Sequence, residues 1–135
     1  MPIEKVYTVE DYYDRPINGV SSYLGKPHIF KLIFDISKDE YSKIYELQEI
    51  SQMEFELRMK SWSLWLKWND KKDKTPEEFE SHPVLPDDQK EFKQIEERLN
   101  ILLDKNKYNK FWLEGEFIRT GAEHHDFDVE WKINS

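Results

Sequence analysis

The sequence predicts an α+β domain: an antiparallel sheet of about five strands, open or curled into a partial barrel, with two packed helices at about 52–69 and 88–105 inserted between the N-terminal and C-terminal strands. Three observations lead there. Segments on both sides of the middle alternate apolar and polar residues with the period of two that a half-buried strand requires. Two stretches between them carry apolar residues at helical spacing behind capping-box signatures. Finally, 15% of the chain is aromatic, with five Trp, seven Tyr and eight Phe against a single alanine, Ala122. The core is therefore built from rings, each of which buries about 150–250 Å².

Residues 6–9 form a short extended segment. Two longer runs, 17–24 and 28–35, flank Gly25-Lys26-Pro27, which has the residues of a hairpin turn. In the second run His28, Phe30, Leu32 and Phe34 share the more apolar face and point to the core. Ser37-Lys38-Asp39-Glu40 matches a capping box and predicts a helical turn. The stretch 41–50 carries both periodicities. A new capping box at Ser51-Gln52-Met53-Glu54 favours a break, hence a strand over 43–49.

The helix over 52–69 has two apolar stripes, Phe55, Met59, Trp62 and Leu66 on one side and Met53, Leu57, Leu64 and Trp68 nearly opposite, with Trp65 on the flank. A helix apolar on two sides is sandwiched, so it is expected to pack on the sheet and under the second helix. The latter opens with Asp88-Gln89-Lys90-Glu91 and presents Phe92, Ile95, Leu99, Leu102 and Leu103 as one stripe. Between them, 69–86 reads as a charged connection. Thr75-Pro76-Glu77-Glu78 reads as a short turn, and Pro83 and Pro86 keep the chain extended. Two C-terminal strands, 111–120 and 127–133, follow, joined by a turn at 121–126. Phe127, Val129, Trp131 and Ile133 face inward.

A length of 135 residues fits a single domain spanning 1–135. With a net charge of −8, the chain lacks the positive charge that nucleic acid or an anionic membrane selects. The absence of cysteine excludes disulfides, Fe–S clusters, thiolate metal sites and cysteine nucleophiles. No signal-peptide pattern opens the chain and no apolar run approaches the ~20 residues of a membrane span. A soluble, cytoplasmic protein is expected, a monomer or weak homodimer. No nucleophile elbow, phosphate loop, dinucleotide fingerprint or zincin motif is present, so no catalytic residue and no cofactor is assigned.

Asp11-Tyr12-Tyr13-Asp14-Arg15-Pro16 is the densest polar-aromatic cluster, and Tyr and Arg are favoured at binding hot spots. It reads either as a ligand or partner contact, joined by His28, or as a solvated sheet rim. His82 is read as structural. His124, His125 and Asp126 are metal-ligand types, but neighbours on a strand point to opposite faces, so a polar turn is the expected role. Trp62, Trp65 and Trp68 step around the helix and form no single platform. Trp65 is the ring expected nearest solvent or a partner.

The pattern Asp11-Tyr12-Tyr13-Asp14-x-Pro16-x-x-Gly19, Tyr23-x-Gly25-x-Pro27-His28, Trp62-x-x-Trp65-x-x-Trp68 and His82-Pro83-x-Leu85-Pro86 is similar to a family of small uncharacterised bacterial proteins, over about residues 6–90. That resemblance implies a bacterial origin and one compact domain, and no activity. In general style the chain also resembles small acidic immunity proteins of bacterial toxin systems.

The leading expectation is a non-enzymatic protein-binding domain of immunity type. Its acidic C-terminal hairpin, with Glu114, Glu116, Asp126, Asp128 and Glu130, would face a basic protein partner. The alternative is a small-ligand binder or weak enzyme whose pocket gathers Asp11, Tyr12, Asp14, Arg15 and His28. A homodimer through the second face of the first helix is a third reading.

Overall fold

The computed structural model describes residues 2–74, 84–106, 110–123 and 125–133. Six strands, β1 (Ile3–Tyr13), β2 (Arg15–Tyr23), β3 (Lys26–Asp35), β4 (Glu40–Glu49), β5 (Lys110–Arg119) and β6 (Phe127–Lys132), form a closed antiparallel barrel in chain order. Two helices, α1 (Gln52–Lys74) and α2 (Gln89–Asn106), enter between β4 and β5. The chain divides into two compact units, one holding the barrel strands and the other Gln52–Lys105.

The barrel closes where β1 meets β6 over three residue pairs, Ile3↔Glu130, Glu4↔Val129 and Lys5↔Asp128. The α+β class and the antiparallel sheet are as the sequence implies, but there are six strands rather than about five. β1 runs far beyond 6–9. Register shifts between Val6 and Thr8 and again beyond Val9 break its alternation, which hides a long strand from a period-two reading. β4 is a full strand paired on both edges, with β3 and β5.

Four local expectations are corrected. The β2–β3 turn is Leu24-Gly25, since Tyr23 pairs with Lys26 and Ser22 with Pro27. Both turn residues have positive φ, 53° and 77°, the signature of a type I′ hairpin. Ser37-Lys38-Asp39-Glu40 does not start a helix. The Asp35 carboxylate accepts hydrogen bonds from Ser37 N and Ser37 Oγ at 3.0 and 2.6 Å, closing a polar turn between β3 and β4 instead. Phe34 leaves the core face because the β3–β4 register shifts between Leu32 and Phe34, and its ring packs edge-on against Tyr41. Ile133 lies beyond β6 and is exposed.

Inward residues fill the barrel: Val6 and Val9 from β1, Phe30 and Leu32 from β3, Tyr45 and Leu47 from β4, Leu113 from β5, and Phe127, Val129 and Trp131 from β6. The rings of Phe30, Tyr45, Phe117 and Trp131 contact one another with centroids 5.2–6.0 Å apart. Gly115 makes that cluster possible, because a Cβ there would lie 2.6 Å from Trp131 Cζ3 and 2.9 Å from Tyr45 Cδ1. The polar ends of the two largest rings are satisfied: Tyr45 Oη donates to Pro16 O at 2.6 Å and Trp131 Nε1 to Ser22 O at 3.2 Å.

In the helical unit, α1 begins directly after Ser51, as the capping box implies, but continues to Lys74 through what reads as a connection. Leu64 of α1 packs with Val84 and with Ile95 of α2, bordered by Leu57, Phe92 and Leu99. Pro86 opens a 3-10 turn over Pro86–Asp88 rather than an extended stretch. Glu54 is fully buried and accepts from Arg58 Nε at 2.8 Å. Trp62 and Trp68 are buried and Trp65 half-buried, in keeping with Trp65 as the most open of the three, while Met53 is exposed. Trp62 and Trp65 stack at 5.1 Å, so two of the three rings share a platform after all. The Thr75-Pro76-Glu77-Glu78 turn, His82 and Pro83 lie outside the described residues.

Candidate functional site

The cluster around Asp14 is the β1–β2 hairpin. The chain reverses over Asp14, whose φ is 64°, with Tyr13 paired to Arg15. Asp11 accepts from Asn18 Nδ2 at 3.0 Å. Tyr12 stacks on Phe127 at 6.1 Å, and its hydroxyl donates to Asp14 O at 3.2 Å. Arg15 Nη2 reaches Tyr41 O at 3.3 Å. Tyr13, Asp14 and Arg15 join Phe34, Asp39, Glu40 and Tyr41 around an open cleft of about 870 Å³. Three carboxylates and one guanidinium make it acidic.

His28 is not part of that cleft. It pairs with Ser21 and Glu49, near the opposite ends of the strands that carry Arg15 and Tyr41. The pocket expected to gather Asp11, Tyr12, Asp14, Arg15 and His28 therefore does not form. The reason is the length of the β2–β3 ladder: strands rise about 3.3 Å per residue, so the Arg15 and His28 ends are about 20 Å apart.

His28 lines a second cleft of about 570 Å³, with Tyr23, Leu24, Lys26, Glu49, Lys110 and Phe111. Its ring meets Tyr23 and Phe111 edge-on, each at 5.6 Å. Nδ1 sits 2.9 Å from Lys26 O; a carbonyl only accepts, so Nδ1 carries the proton. Burial holds the pKa of His28 below its usual value, against the opposing pull of that hydrogen bond and of Glu49 and Glu4. Behind the cleft rim, the buried Glu4 accepts from Ser22 Oγ at 2.8 Å and from Leu24 N at 2.6 Å, fixing the turn. From sequence, Lys26 reads only as a turn residue and Phe111 only as a strand residue, and Glu4 and Lys110 have no role. They come together only through pairing across β1, β2, β3 and β5.

The acidic hairpin is the third candidate. Trp112, Glu114, Glu116 and Ile118 alternate along the outer face of β5, opposite in turn Glu46 of β4 and Lys132, Glu130 and Asp128 of β6. Trp112 is 55% exposed. Glu116 and Glu130 face each other directly, an unfavourable like-charge pair. Lys132 offsets it, binding Glu116 at 2.6 Å with Glu130 3.8 Å away. That contact holds the Glu116 carboxyl below its usual range and raises Lys132. Asp126 belongs to the β5–β6 turn instead, accepting from Glu123 N at 3.1 Å through Oδ2.

His125 and Asp126 border a groove beside β1, with the imidazole Nε2 3.8 Å from the carboxylate. His124 lies outside the described residues. Among the described residues, no three His, Asp or Glu side chains are grouped to hold a metal ion. Among them too, no helix is long and apolar enough to cross a membrane. No protein-family model, no curated protein and no solved structure matches this chain.

Proposed function

We infer that the chain is a non-enzymatic protein-binding domain, an immunity-type antagonist of a basic bacterial protein, and that it docks through the outer face of β4, β5 and β6. The observation that supports this most is Trp112, a large ring left 55% exposed on a strand whose next outward residues are Glu114 and Glu116. Trp is enriched at binding hot spots, and its face attracts Arg and Lys. Carboxylates on the same face speed encounter with a cationic partner and orient it. Ile118, at the far end of the row, adds a second apolar contact about 20 Å from the first, a span suited to one strand or helix of a partner. The acidic cleft at Asp14 and Arg15 would extend the charge complementarity.

The test is affinity capture from the native host with wild-type protein and with a Glu114→Lys/Glu116→Lys variant. The expected result is one stoichiometric basic partner held by the wild type, released by moderate salt, and lost from the variant and from Trp112→Ala. A partner retained equally by all three proteins, or none at stoichiometric yield, removes this reading.

A further inference from the structure

The cleft at the Leu24-Gly25 end of the barrel carries a separate inference. His28 is only 3% exposed, yet it lines that cleft. With its Nδ1 proton given to Lys26 O, the neutral ring keeps a lone pair on Nε2, and no described residue donates to it. Directly across the ladder, the hydroxyl of Ser21 is fully buried and also lacks a hydrogen-bond partner. His28 Nε2 is not among the fully buried unpartnered atoms, so it is reached from the cleft, where a ligand's donor can take the place of solvent. Tyr23 and Phe111 clamp the imidazole edge-on and fix its direction.

The rim departs from what folding alone would choose. Leu24 stands in a left-handed conformation, φ 53°, where a type I′ turn prefers Asn, and its side chain is 67% exposed. Strain and exposed apolar surface at one residue of a cleft mark a contact surface. Two cations border it. Lys26 is loosely paired with Glu49 at 3.9 Å, and Lys110 leans to Glu46 at 3.1 Å. Glu49 and the buried Glu4 both act on the imidazole, which disfavours a dianion in the same space. The volume, about 570 Å³, is within the range of small-molecule sites.

We propose that this barrel mouth binds a small planar aromatic monoanion carrying one N–H or O–H donor. The donor meets His28 Nε2, the ring lies between Leu24, Tyr23 and Phe111, and the carboxylate meets Lys26 or Lys110. The site stands independently of the β5 outer face, and Glu114→Lys/Glu116→Lys leaves it intact.

The experiment is an NMR titration of the full isotope-labelled chain with 4-hydroxybenzoate and indole-3-carboxylate. Benzoate, which lacks the donor, and 4-methylphenol, which lacks the charge, serve as controls. Saturable shifts centred on Leu24, His28 and Lys110 are expected, with each control binding about tenfold more weakly. His28→Phe keeps the ring packing, removes the acceptor, and is expected to weaken 4-hydroxybenzoate about tenfold. No saturable shift with either probe overturns the proposal, as does a folded His28→Phe protein that binds unchanged. Should that variant not fold, equal binding of benzoate and 4-hydroxybenzoate by the wild type overturns it on its own.

Discussion

At Gly115 a missing side chain sets the shape of the core. A methyl group there would meet two fully buried rings, those of Trp131 and Tyr45. Gly115→Ala is expected to cost about 1–3 kcal/mol, read as a lower urea midpoint at unchanged m-value. The reverse holds at Leu24, where an L-residue sits in the left-handed region at a cost of about 1–2 kcal/mol. Leu24→Asn relieves that strain and keeps the amide that donates to Glu4, so a Tm about 3 °C higher is expected. It also removes an apolar contact from the cleft, so the same variant should bind the aromatic probes less well. His28 sets a pH dependence. Its folded pKa lies below the unfolded value of 6.5, so the unfolded chain takes up its proton first. The stability it contributes is complete above that value and is lost as pH falls below it. Denaturation at pH 7.5 and pH 5 should show a larger loss for the wild type than for His28→Phe.

Elements were legible where their periodicity survives intact. In β3, His28, Phe30 and Leu32 alternate inward without interruption. In β6, Phe127, Val129 and Trp131 do the same. α2 declares itself by Phe92, Ile95 and Leu99. β1 does not, because its register shifts put Thr8 and Val9, neighbours in sequence, both out of water. The Ser37 capping box misleads because Asp35, two residues earlier, takes the same donors first. The His28 cleft was half visible: the histidine stood out, but Glu4, Lys110 and Phe111 reach it only through strand pairing, which no local pattern encodes. In the helical unit, Ile95 is the most buried of the described residues of the α2 stripe. Ile95→Ala is expected to cost about 2–4 kcal/mol. Hydrogen exchange of the α2 amides should accelerate more than that of β3, since the two lie in separate compact units.

For the molecule as a whole, the barrel pairs each of its six strands with two neighbours, but not evenly. β1 and β6 share three residue pairs, whereas β3 and β4 share seven. The short join is the expected first point of opening, and amides of residues 3–5 and 128–130 should be the least protected of the strands. The chain has no cysteine, so Ile3→Cys with Glu130→Cys introduces a single defined cross-link at a directly facing pair. About 2–4 kcal/mol of added stability is expected in the oxidised form, reversed by reductant. A seam held by so few pairs is also one that a neighbouring copy can enter. Under mild denaturant and high concentration, reciprocal exchange of β1 between two chains should yield dimers on gel filtration, and the cross-linked variant should stay monomeric.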